Sequence, residues 1–235
     1  MALIHGMPMV GHCFLRVNMC TAIDATYVAT CDEEIFQYIN SIGGQAVMTS
    51  TAHERASDRA AEAMLQIEKE SGKEIDILVM VQGDEPMDTP QMICDAIDPM
   101  LRDPTIDVVN LMGTIETLQE FDDPNTVKVV VDPQNYALYF SREPIPSRKK
   151  GVEHVPMLKQ ICIIPFRRDY LFKFNSIPET PLERIESVDM MRVIESGGRV
   201  KMVMTDGESY GVDNYEDLLK VEERMINDPL RAHYM

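Results

Sequence analysis

Short apolar runs alternate with amphipathic stretches along this chain, and that alternation predicts βαβ units built around a mostly parallel sheet. Residues 8–19 read as a helix, 25–30 as a strand, and 32–42 as a second helix stopped by Gly43-Gly44. A short strand follows at 46–48, a helix at 57–69 and an apolar strand at 75–80. The next helix, 89–102, carries Pro90 in its first turn, and 108–112 forms another strand.

The pattern then changes. Residues 127–131 and 136–140 read as two paired strands around the turn Asp132-Pro133-Gln134-Asn135. Residues 142–156 are rich in proline and basic side chains and predict an exposed loop. A strand at 159–165, helices at 168–175 and 183–196, a strand at 200–204 and a helix at 215–225 complete the chain. Gly197-Gly198 ends the second of those helices. No internal repeat or low-complexity tract interrupts the series. The expectation is a single α/β domain over 1–235, with the middle strands, about 125–170, as a subregion within it.

Composition narrows the function. Hydrophobic residues make up 45% of the 235, enough for a sizeable core, and the 18 methionines read as filler spread over every element. The formal net charge of −17 argues against binding a nucleic-acid polymer, which needs a basic footprint. It leaves room for one nucleotide in a local basic pocket. No apolar run reaches the length of about 18 residues that a membrane span needs. The N-terminal segment has no basic stretch leading into an apolar one, so no signal peptide is read and a cytoplasmic protein is expected. The five cysteines form no CxxC pair and are read as reduced thiols acting as small buried hydrophobes.

The stretch Val81-Gln82-Gly83-Asp84-Glu85-Pro86 carries the most chemistry. An apolar strand running into a glycine, an acid pair and a proline places carboxylates at the C-terminal edge of a sheet, where open α/β folds bind ligands. A carboxylate there can hold Mg²⁺ against a nucleoside triphosphate. The plainer alternative is a strand-to-helix loop in which Asp84 caps a turn.

Four separated groups of residues then agree with one family. They are Met48 to His53 with Ser57-Asp58-Arg59; Gln82 to Pro86; Asn125 to Val130 with Ala137 to Arg142 and Ile145-Pro146; and Leu182 to Glu186 with Gly211 to Leu218. In order and spacing, over nearly the whole chain, the sequence resembles the 3-deoxy-manno-octulosonate (KDO) cytidylyltransferases, and more distantly the acylneuraminate cytidylyltransferases. The resemblance implies a Rossmann-like nucleotidyltransferase fold with a mixed sheet. It implies Mg²⁺-dependent transfer of the cytidylyl group of CTP to a 3-deoxy-2-ulosonic acid such as KDO, releasing pyrophosphate, for lipopolysaccharide or surface-glycan synthesis. It also implies a homodimer formed through the middle strands.

Residue by residue, the resemblance makes Asp84 and Asp213 the metal acids and places His53, Ser57, Asp58, Arg59 and Gln82 around CTP. Arg142 is a catalytic candidate that would grip the sugar carboxylate as a fork. Lys128, Gln160, Glu183, Glu186 and Asp189 are candidates for the acceptor. Each has an alternative. Asp213 is placed to cap the helix near Tyr215, and Ser57 to cap the helix it opens. Lys128 alternates with valines, so its side chain points opposite to theirs, and a solvated face suits it; Glu183 and Glu186, three apart on a helix, suit a solvent-facing acid pair.

Two departures qualify the resemblance. The family opens with a strand and an arginine- and lysine-bearing loop that grips the triphosphate, and this chain matches only after that loop, so weakened CTP binding is expected of the chain as it stands. Where the family has His-Leu-Gly-Ile-Tyr-Gly-Tyr, this chain has Gln160-Ile161-Cys162-Ile163-Ile164-Pro165-Phe166, and Asp189-Met190 replaces Glu-Gln. These changes keep two other expectations open: a nucleotidyltransferase with a different acceptor acid, and a non-catalytic nucleotide-binding homologue.

Overall fold

A computed structural model describes residues 1–152 and 154–235; residue 153, in the expected exposed loop, lies outside the described residues. In chain order the elements are β1 (Leu3–Ile4), β2 (Met7–Pro8), α1 (Met9–Asn18), β3 (Tyr27–Thr30), α2 (Glu33–Ser41), β4 (Gln45–Met48), α3 (Ala56–Ser71), β5 (Ile77–Val81) and α4 (Pro90–Arg102). There follow β6 (Val109–Thr114), α5 (Leu118–Asp122), β7 (Lys128–Val131), β8 (Ala137–Ser141), β9 (Leu158–Ile161), β10 (Ile163–Arg167), α6 (Arg168–Ser176), α7 (Pro181–Glu186), α8 (Met190–Glu195), β11 (Lys201–Met204) and α9 (Tyr215–Arg224). They group into two compact units: Met1–Cys94 with Gly207–Met235, and Asp95–Asp206. No described helix is long and apolar enough to cross a membrane.

In the first unit β3 and β4 pair in parallel, from Tyr27↔Gln45 to Thr30↔Met48. The Asp32 carboxylate caps α2 between them, accepting from the Glu34 N–H at 2.8 Å. β1 and β2 form a small hairpin that the apolar pattern does not announce; it turns through Gly6 at a φ of +84°, open to a residue without a Cβ. Ile4 from this hairpin, Val221 of α9 and Met225 make a buried cluster that also packs Met87, Tyr210 and Val212. At roughly 1.5–3 kcal/mol per large apolar side chain buried, this cluster anchors the loops on either side of the candidate site.

The C-terminal segment is tied to α1. Arg16 is buried, forms an ion pair with Asp228, and donates from Nε to the Tyr234 hydroxyl at 3.1 Å. His12 lies wholly buried beside it. Its Nε2 is 2.9 Å from the Ile4 carbonyl, which can only accept, so Nδ1 accepts from the Tyr234 hydroxyl at 3.0 Å. Burial holds this imidazole below its usual range, consistent with a neutral ring.

The second unit holds a five-stranded mixed sheet in the order β11-β6-β9-β7-β8. β11 and β6 run parallel; β6–β9, β9–β7 and β7–β8 are antiparallel. Phe140, Phe166, Phe174, Met191 and Met202 fill its core. In the middle strands Phe140 and Phe166 are interior, and the large apolar side chain β8 leaves exposed is Leu138.

Several boundaries differ from the sequence expectation, each for a local reason. The strand expected over 159–165 is two strands. β9 pairs with β6 and β7, whereas β10 bridges back to Val108 through Phe166, and the chain bends at Cys162 where its partner changes. The helix expected over 183–196 is also two. Glu186 is held by the Tyr139 hydroxyl at 3.0 Å and the Arg142 N–H at 2.9 Å, and the chain turns at Ser187 in the left-handed region, φ +52°. α5 was missed, although Thr117 and Glu120 stand at capping-box spacing and Thr117 accepts from the Glu120 N–H. Among the thiols expected to be buried hydrophobes, Cys13 and Cys20 are buried, Cys94 and Cys162 are half-buried, and Cys31 is exposed.

Glu183 and Arg192 form the main buried ion pair of the second unit. Arg192 Nε donates to Glu183 Oε2 at 2.8 Å and Nη2 to Oε1, with both side chains almost fully buried, and Glu183 also accepts from the Thr180 N–H at the start of α7. Breaking one side of such a pair strands a buried charge at about 3–5 kcal/mol, whereas removing both charges is far cheaper. Glu183→Gln is expected to destabilise the protein by about that much in urea denaturation, with the double variant Glu183→Gln/Arg192→Met closer to wild type.

A candidate active site at the end of strand β5

β5 delivers its chain directly into the 82–88 segment. Asp84 there is half-buried, its Oδ1 is buried without a hydrogen-bond partner, and burial followed by the charge of Asp213 holds its carboxyl above the usual range. Asp213 is exposed. The two segments are joined through the backbone: the Val212 N–H donates to the Asp84 carbonyl at 3.0 Å. The cap of α9 is Asn214, which accepts from the Glu216 and Asp217 N–H groups, so Asp213 does not serve as the cap. An orphaned carboxylate oxygen facing a second carboxylate's charge suits a divalent cation, which prefers oxygen ligands and would offset both charges.

Around this pair lies a buried polar network that sequence reasoning did not single out. Ser209 Oγ contacts Glu85 Oε2 and sits 2.7 Å from Asp88 Oδ1. A hydroxyl has one proton to donate, so at least one carboxyl of this pair must carry a proton of its own. Burial raises Asp88 well above the usual range, and the charge of Glu85 adds to it. From the other side, Arg16 Nη1 donates to the Met87 carbonyl at 3.1 Å. Ser209 thus fixes the segment bearing Asp213 against the loop bearing Asp84. The one sequence signal was density: acids at 84, 85 and 88 in a segment entering a helix.

The residues expected around CTP divide by geometry. Arg59 is spent on the loop before α3: Nη1 donates to Thr49 Oγ1 at 2.6 Å and Nη2 to the His53 carbonyl at 3.1 Å. His53 is paired with Glu62, whose carboxylate also accepts from the Ser50 N–H at 3.0 Å; that hydrogen bond first, then His53, holds Glu62 below the usual range. Ser57 is buried inside α3 rather than capping it. The cap position belongs to Arg55, with no side-chain cap bond, and Asp58 follows in the first turn. Gln82 is half-buried just after β5.

The residues expected at the acceptor lie in the second unit, and most are already engaged. Lys128 is not on a solvated face. It is fully buried, and its Nζ donates to the carbonyls of Asp123 (2.9 Å), Thr126 (2.7 Å) and Arg142, with burial lowering its pKa. Arg142 donates to the carbonyls of Glu186 at 2.7 Å and Pro124 at 2.9 Å. Gln160 Nε2 donates to Asn110 Oδ1 at 2.6 Å. Glu183 is buried against Arg192 and Glu186 is held at the end of β8, so these two do not form a solvent-facing pair. Asp189 stands at the N-cap of α8.

Two outcomes follow from this geometry. Asp84→Asn removes a buried carboxylate under like-charge repulsion, so it is expected to raise the melting temperature of metal-free protein at neutral pH. Because the native pKa of Asp84 is raised, wild-type stability falls as pH climbs through it, and the advantage of the variant should vanish on acidification as wild-type Asp84 takes up its proton. Ser209→Ala leaves two buried carboxyls short of a partner and is expected to lower stability by about 1–3 kcal/mol in urea titration, with Ser209→Thr keeping most of it.

Residues 1–204 match the family model described as Cytidylyltransferase. The 3-deoxy-manno-octulosonate cytidylyltransferase of Geotalea uraniireducens is 40% identical over 232 residues, covering 94% of this chain and 90% of that protein. The protein of the same name from Geobacter sulfurreducens is 39% identical over 232 residues, covering 94% of this chain and 90% of its own length. Among solved structures, that of CMP:2-keto-3-deoxy-manno-octonic acid synthetase complexed with CTP superposes with a TM-score of 0.87 at 34% identity, covering 95% of this chain and 90% of that one. A 4-diphosphocytidyl-2C-methyl-D-erythritol synthase from Anaerococcus prevotii shares the fold at a TM-score of 0.61 and 15% identity, covering 95% of this chain and 91% of its own. A mixed α/β fold, carboxylates at the end of β5 and 40% identity over nearly the full length agree: the chain belongs to the cytidylyltransferase family, with the 3-deoxy-manno-octulosonate enzymes as its relatives.

Proposed function

We propose that this protein transfers the cytidylyl group of CTP to the anomeric hydroxyl of KDO, giving the CMP-sugar and pyrophosphate, as a cytoplasmic step toward lipopolysaccharide or a related surface glycan. The observation that carries the reading is the Asp84–Asp213 pair at the end of β5, with one carboxylate oxygen buried and unpartnered. Asp84 and Asp213 would hold Mg²⁺, which when bound offsets charge on the phosphate oxygens and orients the leaving group. Asp84 would do so from a rigid strand end, and Asp213 from a segment that Ser209 and the Val212 N–H fasten to it.

On the nucleotide side, the N-terminus of α3 lacks a side-chain cap, and such N–H groups suit an anionic or polar ligand. Arg59 and His53 act there by shaping the 49–53 loop, with Gln82 and Asp58 lining the approach to the base and ribose and Ser57 supporting it from inside α3. On the acceptor side we assign Arg142, Gln160, Glu186 and Asp189 to sugar recognition, directly or through the backbone they hold. Lys128 and Glu183 support that region from inside it. The protein is proposed to act as a homodimer formed through the middle strands, with the exposed Leu138 of β8 as a candidate contact.

The test is pyrophosphate release from CTP, Mg²⁺ and KDO. Turnover that depends on all three is expected, and a protein inactive with KDO but active with another ulosonic acid would overturn the assigned acceptor. Absence of turnover with any sugar acid, in protein that melts cooperatively, would overturn the enzymatic reading. Asp213→Asn is expected to lower kcat by about 100-fold or more, since the metal supplies several kcal/mol at 1.4 kcal/mol per decade. Its melting temperature should also lose its response to Mg²⁺.

A further inference from the structure

Away from the acids, two thiols meet. Cys20 follows the last turn of α1, where its N–H donates to the Val17 carbonyl, and Cys94 lies in the second turn of α4. Their Sγ atoms are 3.5 Å apart, although 74 positions separate them in sequence. Both belong to the first unit. That separation is van der Waals contact between sulfurs. A disulfide closes to about 2.05 Å, so about 1.5 Å of approach, shared between two side chains, separates contact from bond.

The two thiols are not equivalent. Cys20 is 4% exposed, whereas Cys94 is half-buried and open to a small solute. Of the other thiols, Cys162 in the second unit is half-buried like Cys94. Cys13 is buried, and burial first, then the acids around it, push its thiol well above the usual range, which makes it inert. Cys31 is exposed ahead of α2. One accessible thiol backed by one buried thiol at contact distance is the arrangement that lets a sulfenic acid be captured before it oxidises further.

We propose that Cys20 and Cys94 form a dithiol that hydroperoxides convert reversibly to an intramolecular disulfide, with Cys94 as the oxidised thiol and Cys20 as the resolving one. Cys94, as thiolate, attacks the terminal oxygen of the peroxide. The O–O bond breaks, Cys94 becomes a sulfenic acid, and the departing alkoxide or hydroxide takes the proton Cys94 gave up and leaves as alcohol or water. Cys20 sulfur then attacks Cys94 sulfur. The S–S bond forms, the S–O bond breaks, and hydroxide leaves as water with the proton of Cys20. Two thiols lose two electrons in total and one peroxide gains them. The product ties the end of α1 to α4, the helix that begins just after the 82–88 segment. This inference does not depend on the proposed reaction of the protein.

The experiment treats reduced full-length protein with hydrogen peroxide, blocks remaining thiols with iodoacetamide, and maps peptides without reduction. Trypsin alone leaves Cys20 and Cys31 on one peptide, since no lysine or arginine stands between Arg16 and Arg55, so a second cut at Asp24 is needed to separate them. The expected result is a Cys20–Cys94 linked peptide, lighter by two hydrogens and released by dithiothreitol. The oxidised protein should also melt higher, because the cross-link restricts the unfolded chain. Cys20→Ser should instead leave Cys94 as a sulfenic acid that dimedone traps, and Cys94→Ser should leave Cys20 fully alkylatable. Cys94 passing to sulfinic acid in wild type while Cys20 remains alkylatable would overturn the proposal. So would both thiols staying reduced at a peroxide dose that oxidises Cys31.

Discussion

Carboxylates gathered at one strand end are the constraint around which the first unit is organised. Asp84, Glu85 and Asp88 leave β5 within five positions, and Asp213 comes to face Asp84. Like charges in a poorly solvated setting repel strongly, so each must be neutralised, hydrogen-bonded or matched with a cation. The structure meets this in three ways. Asp88 is driven toward its protonated form, Ser209 bridges it to Glu85, and Asp84 keeps one oxygen unpartnered. That last feature lowers the stability of the metal-free chain, and under the proposed function it would be offset by a bound divalent ion.

The constraint reaches well beyond the loop. Arg16 holds the Met87 carbonyl with one guanidinium nitrogen and reaches Asp228 and Tyr234 with the others, so the chain's end and its first long helix support the backbone that presents Asp84. Val221 and Met225 pack on Ile4 with Val212 beside them, which seats the segment bearing Asp213. Polar and apolar ties therefore act on the same two segments, and neither acid depends on its own loop for position.

The second unit shows the same economy in another form. Lys128, Arg142 and Glu186 were carried over from a family resemblance as groups that touch a sugar acid, yet in the fold they bind backbone and one another. Lys128 spends its three N–H donors on three carbonyls, and Arg142 clamps the turn after α7. Side chains engaged in this way fix the backbone around them, and under the proposed function that preorganised backbone would keep polar contacts in register for the acceptor.

Periodicity was enough to place most elements, because an apolar run of strand length and a 3.6-residue repeat each have a direct geometric meaning. Most helices and strands lie within a few residues of where the pattern puts them, the strand leading into Gln82 to Pro86 among them. Short elements escaped it. β1, β2 and α5 are too brief to display a period, and the breaks at Cys162 and Ser187 arise from partners distant in sequence. The identity of the acids was likewise local information, whereas their state was not. That Asp88 is buried with Glu85 against Ser209, and that Cys20 touches Cys94, are decided by contacts spanning tens to more than a hundred positions. Residue type and spacing set which chemistry was available. Only the tertiary structure, by bringing distant groups within a few ångströms and removing water from around them, decided which groups are charged, paired or left open.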